Sequence, residues 1–187
     1  MAVGDSSLYK GYLGGHDWIT HVDEGALKYV KENLGVKTML DVGCGPGGQV
    51  RTAISLGIDA EGVDGDPRVI AESPDITIHE CDFTQNTFAK EVDFIWSVEF
   101  VEHVKEEFQE NYMNTFSQAK HVFITFAPPG KGGNHHVNLK PASYWIETFA
   151  KYDLEYDLET SDAIKAASTM KREFVAKNGL YFKKKET

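Results

Sequence analysis

Residues 38–48, Thr-Met-Leu-Asp-Val-Gly-Cys-Gly-Pro-Gly-Gly, set a short apolar run directly against a glycine-rich turn. Glycine admits positive φ and close approaches that a β-carbon blocks, so such a turn lets a ligand rest on bare backbone. The stretch from Gln49 to Leu56 that follows reads as a helix closed by Gly57. A buried strand, a glycine turn and a helix in succession restrict the chain to folds in which strands and helices alternate.

The remainder keeps that rhythm. Short strands are expected at Ala60–Val63, Ile76–Glu80, Val92–Ser97 and His121–Phe126. Helices are expected at Trp18–Asn33 (stopped by Gly35), at Lys105–Lys120, and after Pro141, where Ala142, Trp145, Ile146 and Phe149 form an apolar stripe. Ser161–Ser168 reads as a short helix or loop. Leu154–Leu158 and Phe174–Phe182 read as a closing strand pair. The expected architecture is a single α/β domain over 1–187: a doubly wound, mostly parallel seven-stranded sheet of Rossmann-like form. Residues 1–37 form an N-terminal helical segment and lid, and 38–187 the core.

Composition narrows the function. The 187 residues carry 19 Lys and Arg against 29 Asp and Glu, a net charge of −10. That balance disfavours a long nucleic-acid track or an anionic membrane surface, both of which select basic faces. No apolar run is long enough to span a membrane, and Met1–Lys10 lacks the apolar core of a signal peptide, so the cytoplasm is the expected compartment. Cys44 and Cys81 follow strands with another strand between them, so both are expected to be unpaired buried thiols.

In doubly wound sheets, ligands bind beyond the carboxyl ends of the strands. Here those ends carry acids. Asp41 precedes the glycine turn. Asp64, with Gly65 after it, follows the turn by about 20 residues, where an acid accepts ribose hydroxyls. Asp82-Phe83 offers a carboxylate for an amino group beside a ring for stacking. Trp96-Ser97-Val98-Glu99 ends the fourth strand.

With these residues in view, the chain resembles the class I S-adenosylmethionine-dependent methyltransferases. Leu40–Gly47 is similar to their first motif, Gly62-Val63-Asp64 to the second, Cys81-Asp82-Phe83 to the third and Asp93–Ser97 to the fourth. The resemblance implies S-adenosylmethionine as methyl donor. Gly43 and Gly45 would line its methionine part, Asp41 would orient its amino group, and Asp64 and Gly65 would hold the ribose. Asp82 and Phe83 would meet the adenine, and Ser97 and Val98 would lie near the sulfonium. Gly-x-Gly-x-x-Gly is formally present at Gly43–Gly48, but a dinucleotide leaves Asp82 and the Trp96-Ser97 strand end without a task.

A less generic set follows. Glu99, Glu102 and His103 share a face if the segment is helical, and His135 and His136 follow the fifth strand. Two carboxylates with imidazoles suit a divalent metal such as Mn, Fe or Zn, with oxygen-preferring Mg less suited. Glu-x-x-Glu-His is similar to the metal-binding segment of the O-methyltransferases of ubiquinone biosynthesis and of the small-RNA 2′-O-methyltransferases. That resemblance implies Glu99, Glu102 and His103 as ligands, with His135 or His136 as the later histidine and His136 the one favoured. In methyltransferases that bind no metal, the glutamate only orders the loop. His103 and His136 are also candidate catalytic bases for a hydroxyl acceptor. Upstream, Tyr9, Tyr12, His16 and Trp18 could close over the acceptor, hinged at Gly14-Gly15; Trp18 could equally pack the first helix.

The expected activity is methyl transfer to an oxygen of a small molecule or saccharide. Terminal 2′-O-methylation of RNA is one alternative, and a non-catalytic donor-binding partner subunit is another.

Overall fold

The computed structural model describes residues 18–133 and 135–185. The expected lid residues Tyr9, Tyr12 and His16 and the hinge Gly14-Gly15 lie outside them. Seven strands form one sheet: β1 Thr38–Val42, β2 Asp59–Asp64, β3 Ile78–Glu80, β4 Val92–Ser97, β5 Ala119–Ile124, β6 Leu154–Tyr156 and β7 Leu180–Lys184. Their order is β3-β2-β1-β4-β5-β7-β6. All neighbours are parallel except those of β7, which runs antiparallel to both β5 and β6.

Side chains alternate across the pleat, so each central strand feeds two cores. Leu40, Val42 and Ile95 enter one, with Tyr112 and Phe116 of α4 (Gln109–Phe116) and Trp145 and Phe149 of α5 (Ala142–Ala150). Met39, Phe94 and Trp96 enter the other. That face is covered by α1 (Glu24–Leu34), α2 (Gly48–Ser55), α3 (Pro67–Glu72), α6 (Leu158–Ala167) and α7 (Phe174–Asn178). Trp96 stacks on Phe123 with ring centroids 5.1 Å apart. Fully burying one such large apolar side chain contributes about 1.5–3 kcal/mol. The sheet is thus held equally from both sides.

Several boundaries differ from expectation for local reasons. α1 begins at Glu24 rather than Trp18, because the Asp23 carboxylate accepts from the Ala26 N–H at 3.0 Å and caps the helix. The residues before it form a strap instead. The Thr20 hydroxyl accepts from the Gly48 N–H at 3.1 Å, and the Asp23 N–H donates to the Gln49 amide at 2.8 Å. Trp18 therefore does not pack α1; it is exposed, with the Arg68 guanidinium 5.7 Å from its ring centre. α3 was not expected: Asp66 caps it and Pro67 opens it. The expected helix Lys105–Lys120 narrows to a 3₁₀ turn, Glu106–Phe108, leading into α4. Phe174–Asn178 is helical rather than strand, leaving only Leu180–Lys184 to pair. Cys44 and Cys81 are free and buried. Among the described residues, no helix is long and apolar enough to cross a membrane.

A candidate methyl-transfer cleft

The strand order reverses between β1 and β4, where ligands settle in doubly wound sheets. The ladder between these strands ends at Asp41 and Trp96. Beyond it the Ser97 hydroxyl donates to the Val42 carbonyl at 3.0 Å. A cleft of about 460 Å³ opens over this point.

The glycine turn forms the floor. The Gly43 N–H donates to Val63 O at 2.9 Å, and the Gly45 N–H donates to the Asp64 carboxylate at 2.8 Å. Gly43 has φ +75°, and a β-carbon there would stand 2.5 Å from the Phe100 ring. Both the conformation and the space demand glycine. Asp41 lines the cleft with its carboxyl buried. Burial, then the nearby Asp64 charge, push its pKa up to about 8. Asp64 also accepts from the Asp66 N–H at 2.9 Å, so both its oxygens hold backbone donors.

At the far end lie Gly65, Asp82 and Phe83. Asp82 accepts from the Thr84 N–H, the Thr84 hydroxyl and the Gln85 amide, at 2.7–2.8 Å. Burial raises the Asp82 pKa, but these three donors outweigh it and hold the carboxyl below its usual range. The Phe83 ring meets Phe100 edge-on, centroids 5.5 Å apart. Eight expected donor residues therefore line one cleft: Asp41, Gly43, Gly45, Asp64, Gly65, Asp82, Phe83 and Val98. The ninth, Ser97, is buried beneath it, bonding β1.

The glutamate–histidine set is rearranged. Only Val101–His103 forms a 3₁₀ turn, and Glu99 precedes it in the left-handed region with φ 55°. The Glu99 N–H donates to the Thr125 hydroxyl at 2.8 Å, and its carboxylate accepts from that hydroxyl at 3.2 Å. Glu99 faces the cleft but stands outside the cluster that forms. That cluster is Glu102, His103 and His136, whose ligand atoms all lie within 4.8 Å of one another. The loop after β5 delivers His136, because the Val137 and Asn138 N–H groups donate to Glu102 O at 2.9 and 3.1 Å. Gly133 makes room for it: a β-carbon there would come within 2.2 Å of the imidazole. His135 is exposed and contributes only its carbonyl, 3.2 Å from His103 Nδ1.

Glu102 is fully buried, and neither carboxylate oxygen has a hydrogen-bond partner among the described residues. Burial, then the Glu99 charge, raise its pKa to about 8. Burial, then His136, lower that of His103 to about 4. A buried carboxyl that meets only the Glu99 carboxyl, beside two imidazoles, is a donor set that a divalent cation would satisfy on displacing the proton. The His135 carbonyl favours a proton on His103 Nδ1, which leaves Nε2 as a ligand or base.

Among the basic residues that line the cleft, three have no counterpart in the sequence-based reading. His21, Lys131 and Arg172 come from three separate loops. No local pattern links them, so only the fold reveals the grouping.

Residues 40–122 match a family described as a methyltransferase domain. No curated protein matches significantly in sequence. Solved structures match throughout the fold. The sugar N-methyltransferase KedS8 from Streptoalloteichus sp ATCC 53650 shares 16% identity, covering 100% of this chain and 99% of that chain, with a TM-score of 0.68. The methyltransferase domain of bacterial CtHen1 shares 13%, over 87% and 97%, at 0.63. Magnesium protoporphyrin IX methyltransferase from Synechocystis PCC 6803, with bound SAM, shares 16%, over 86% and 76%, at 0.62. The architecture is that of the class I S-adenosylmethionine-dependent methyltransferases. Residues 40–122 carry the methyltransferase-domain match, which together with the shared architecture supports a methyl-transferring enzyme.

Proposed function

We propose that this enzyme transfers a methyl group from S-adenosylmethionine to an oxygen of a small molecule or saccharide. One observation carries the reading: eight donor-motif residues and the imidazoles of His103 and His136 line the same cleft. The bound donor supplies an electrophilic methyl on a sulfonium. The chain's own task is alignment, which can supply about 7–11 kcal/mol of the barrier. In this reading Gly43 and Gly45 present bare backbone to the methionine part, Asp41 faces its ammonium, Asp64 and Gly65 face the ribose, and Asp82 and Phe83 face the adenine. Val98 lies nearest the transfer point. Ser97 acts from below by fixing β1 to β4.

His103, held neutral by burial, and His136 are the groups suited to take a hydroxyl proton, a contribution of about 10²–10⁴-fold. Where a divalent metal is present, Glu102, His103 and His136 would hold it, with Glu99 close by, and the ion would acidify the acceptor hydroxyl. The mixed nitrogen and oxygen donors suit Mn, Fe or Zn more than Mg.

Two structural likenesses bear on the acceptor. The likeness to a sugar N-methyltransferase supports a saccharide and leaves nitrogen as the competing target atom. The likeness to the CtHen1 domain, with the Glu102–His103–His136 cluster, supports a second reading, terminal 2′-O-methylation of RNA; the net charge of −10 opposes it. A silent donor-binding subunit would be expected to carry a damaged cleft, and this cleft retains its glycine turn and its acids.

A donor-labelled screen of metabolite, sugar and RNA pools, with and without Mn²⁺, tests the proposal. Label in a small-molecule ether supports it. Label confined to RNA selects the second reading, and label on an amine overturns the choice of oxygen.

A further inference from the structure

Lys131 and Arg172 are exposed cations on the wall of the cleft, in a chain of net charge −10. Both stand close to Phe174 along the chain or in space. The Lys131 ammonium lies 5.9 Å from the Phe174 centroid, and His21 packs edge-on against the same ring at 5.5 Å. The Phe174 N–H donates to Arg172 O at 2.8 Å, which places Arg172 in the same turn. Arg172 is near enough to His21 to act with burial in lowering its pKa.

Neither cationic side chain makes an ion pair or hydrogen bond among the described residues. The cleft acids are engaged elsewhere: Asp64 with the Gly45 and Asp66 N–H groups, Asp82 with Thr84 and Gln85, and Glu99 with Thr125. The exposed Lys120 and Lys177 are paired with Asp93 and Glu173. Lys171 is also unpaired, but it does not line the cleft. Lys131 is near enough to Glu99 and Glu102 to act on their carboxyls, yet both cations stand on the cleft wall without an ion pair, where an anionic ligand can meet them.

We propose that Lys131 and Arg172 bind an anionic group, phosphate or carboxylate, carried by the methyl acceptor. The proposal rests on the cleft being the methyl-transfer site and narrows its substrate to negatively charged acceptors. Arg172 offers a planar fork and Lys131 a mobile point charge, a combination that grips an oxyanion from two directions.

The test uses the full chain saturated with S-adenosylhomocysteine and titrated calorimetrically with inorganic pyrophosphate and, separately, with citrate. Saturable binding of one anion is expected, and the preferred one identifies the group. Lys131→Gln with Arg172→Gln should weaken it about tenfold or more, as loss of charge-assisted contacts does. Lys171→Gln should leave it unchanged, and affinity for S-adenosylhomocysteine should stay within about twofold in every variant. Absence of anion binding, or a double variant that binds like the parent, overturns the proposal. So does a loss that falls on S-adenosylhomocysteine instead, because the cations then serve the donor's own carboxylate. Failure of the parent protein to bind S-adenosylhomocysteine would be a different result: it removes the methyl-transfer reading, and this proposal with it.

Discussion

The Gly45 N–H donates to the Asp64 carboxylate at 2.8 Å, joining the turn after β1 to the end of β2. The other Asp64 oxygen holds the Asp66 N–H at 2.9 Å. One side chain therefore sets the spacing between the turn after β1 and the end of β2, the two elements that the proposal assigns to the donor's methionine part and its ribose. Asp64→Asn places an amide N–H against one of these donors. We expect affinity for S-adenosylhomocysteine to fall about 10–100-fold by calorimetry, with a drop in melting temperature from about 1–3 kcal/mol of lost stability.

Gly43→Ala tests the floor of the cleft. The residue would be forced to φ +75° with its β-carbon 2.5 Å from Phe100. A thermal melt should report destabilisation of about 1–3 kcal/mol, and donor affinity should fall with it. Retention of both parent values would show that the turn tolerates a side chain.

Ser97→Ala separates support from contact. The hydroxyl is buried and donates to Val42 O at 3.0 Å. Denaturant unfolding should show a loss of about 0.5–1.5 kcal/mol. Calorimetry should show near-parent affinity for S-adenosylhomocysteine; a large loss would mean that Ser97 touches the donor directly.

Asp41 gives the unliganded protein a pH signature. Its pKa in the folded state is raised to about 8, by burial first and by Asp64 second, above the ordinary value of 3.8. Between those values the folded state binds the extra proton, so unfolding free energy decreases as pH rises. This contribution is fully present below about pH 4 and lost as pH passes about 8. Denaturation at a series of pH values should show this slope, and Asp41→Asn should reduce it, leaving the part that Glu102 contributes. An ammonium seated beside Asp41 favours its ionised form, so donor binding should release a proton across the same window, detectable from buffers of different ionisation heat.

Glu102 decides the metal. Its carboxylate is fully buried without a hydrogen-bond partner among the described residues. Elemental analysis after incubation with Mn²⁺ or Zn²⁺ and desalting should find about one ion per chain in the parent and none in Glu102→Gln. If parent and variant retain equal amounts, Glu102 is not a ligand.

Much of this was legible in the sequence, for identifiable reasons. β1 and β4 occur over the residues expected, because both are continuous apolar runs bounded by turns and buried on two faces. That the expected donor residues share one cleft was legible because strand ends in a parallel sheet converge, so order along the chain becomes proximity. Glu99 lies outside the tightest cluster because the i, i+3, i+4 argument assumes a helix, whereas its N–H bonds the Thr125 hydroxyl and its backbone turns left-handed, yet its carboxyl still meets that of Glu102. α1 was drawn too long because Ile19 and Val22 look periodic but are exposed, the Asp23 cap having the stronger claim on the helix start. Lys131 and Arg172 carry no local signal; they line one cleft only because the loop after β5 and the turn before α7 both reach it.

The most direct measurement is calorimetric titration of the folded protein with S-adenosylmethionine and with S-adenosylhomocysteine. Saturable one-to-one binding of both, each displacing the other, is the predicted result. Folded protein that gives no binding heat with either and shows no change in melting temperature would contradict the assignment of the cleft.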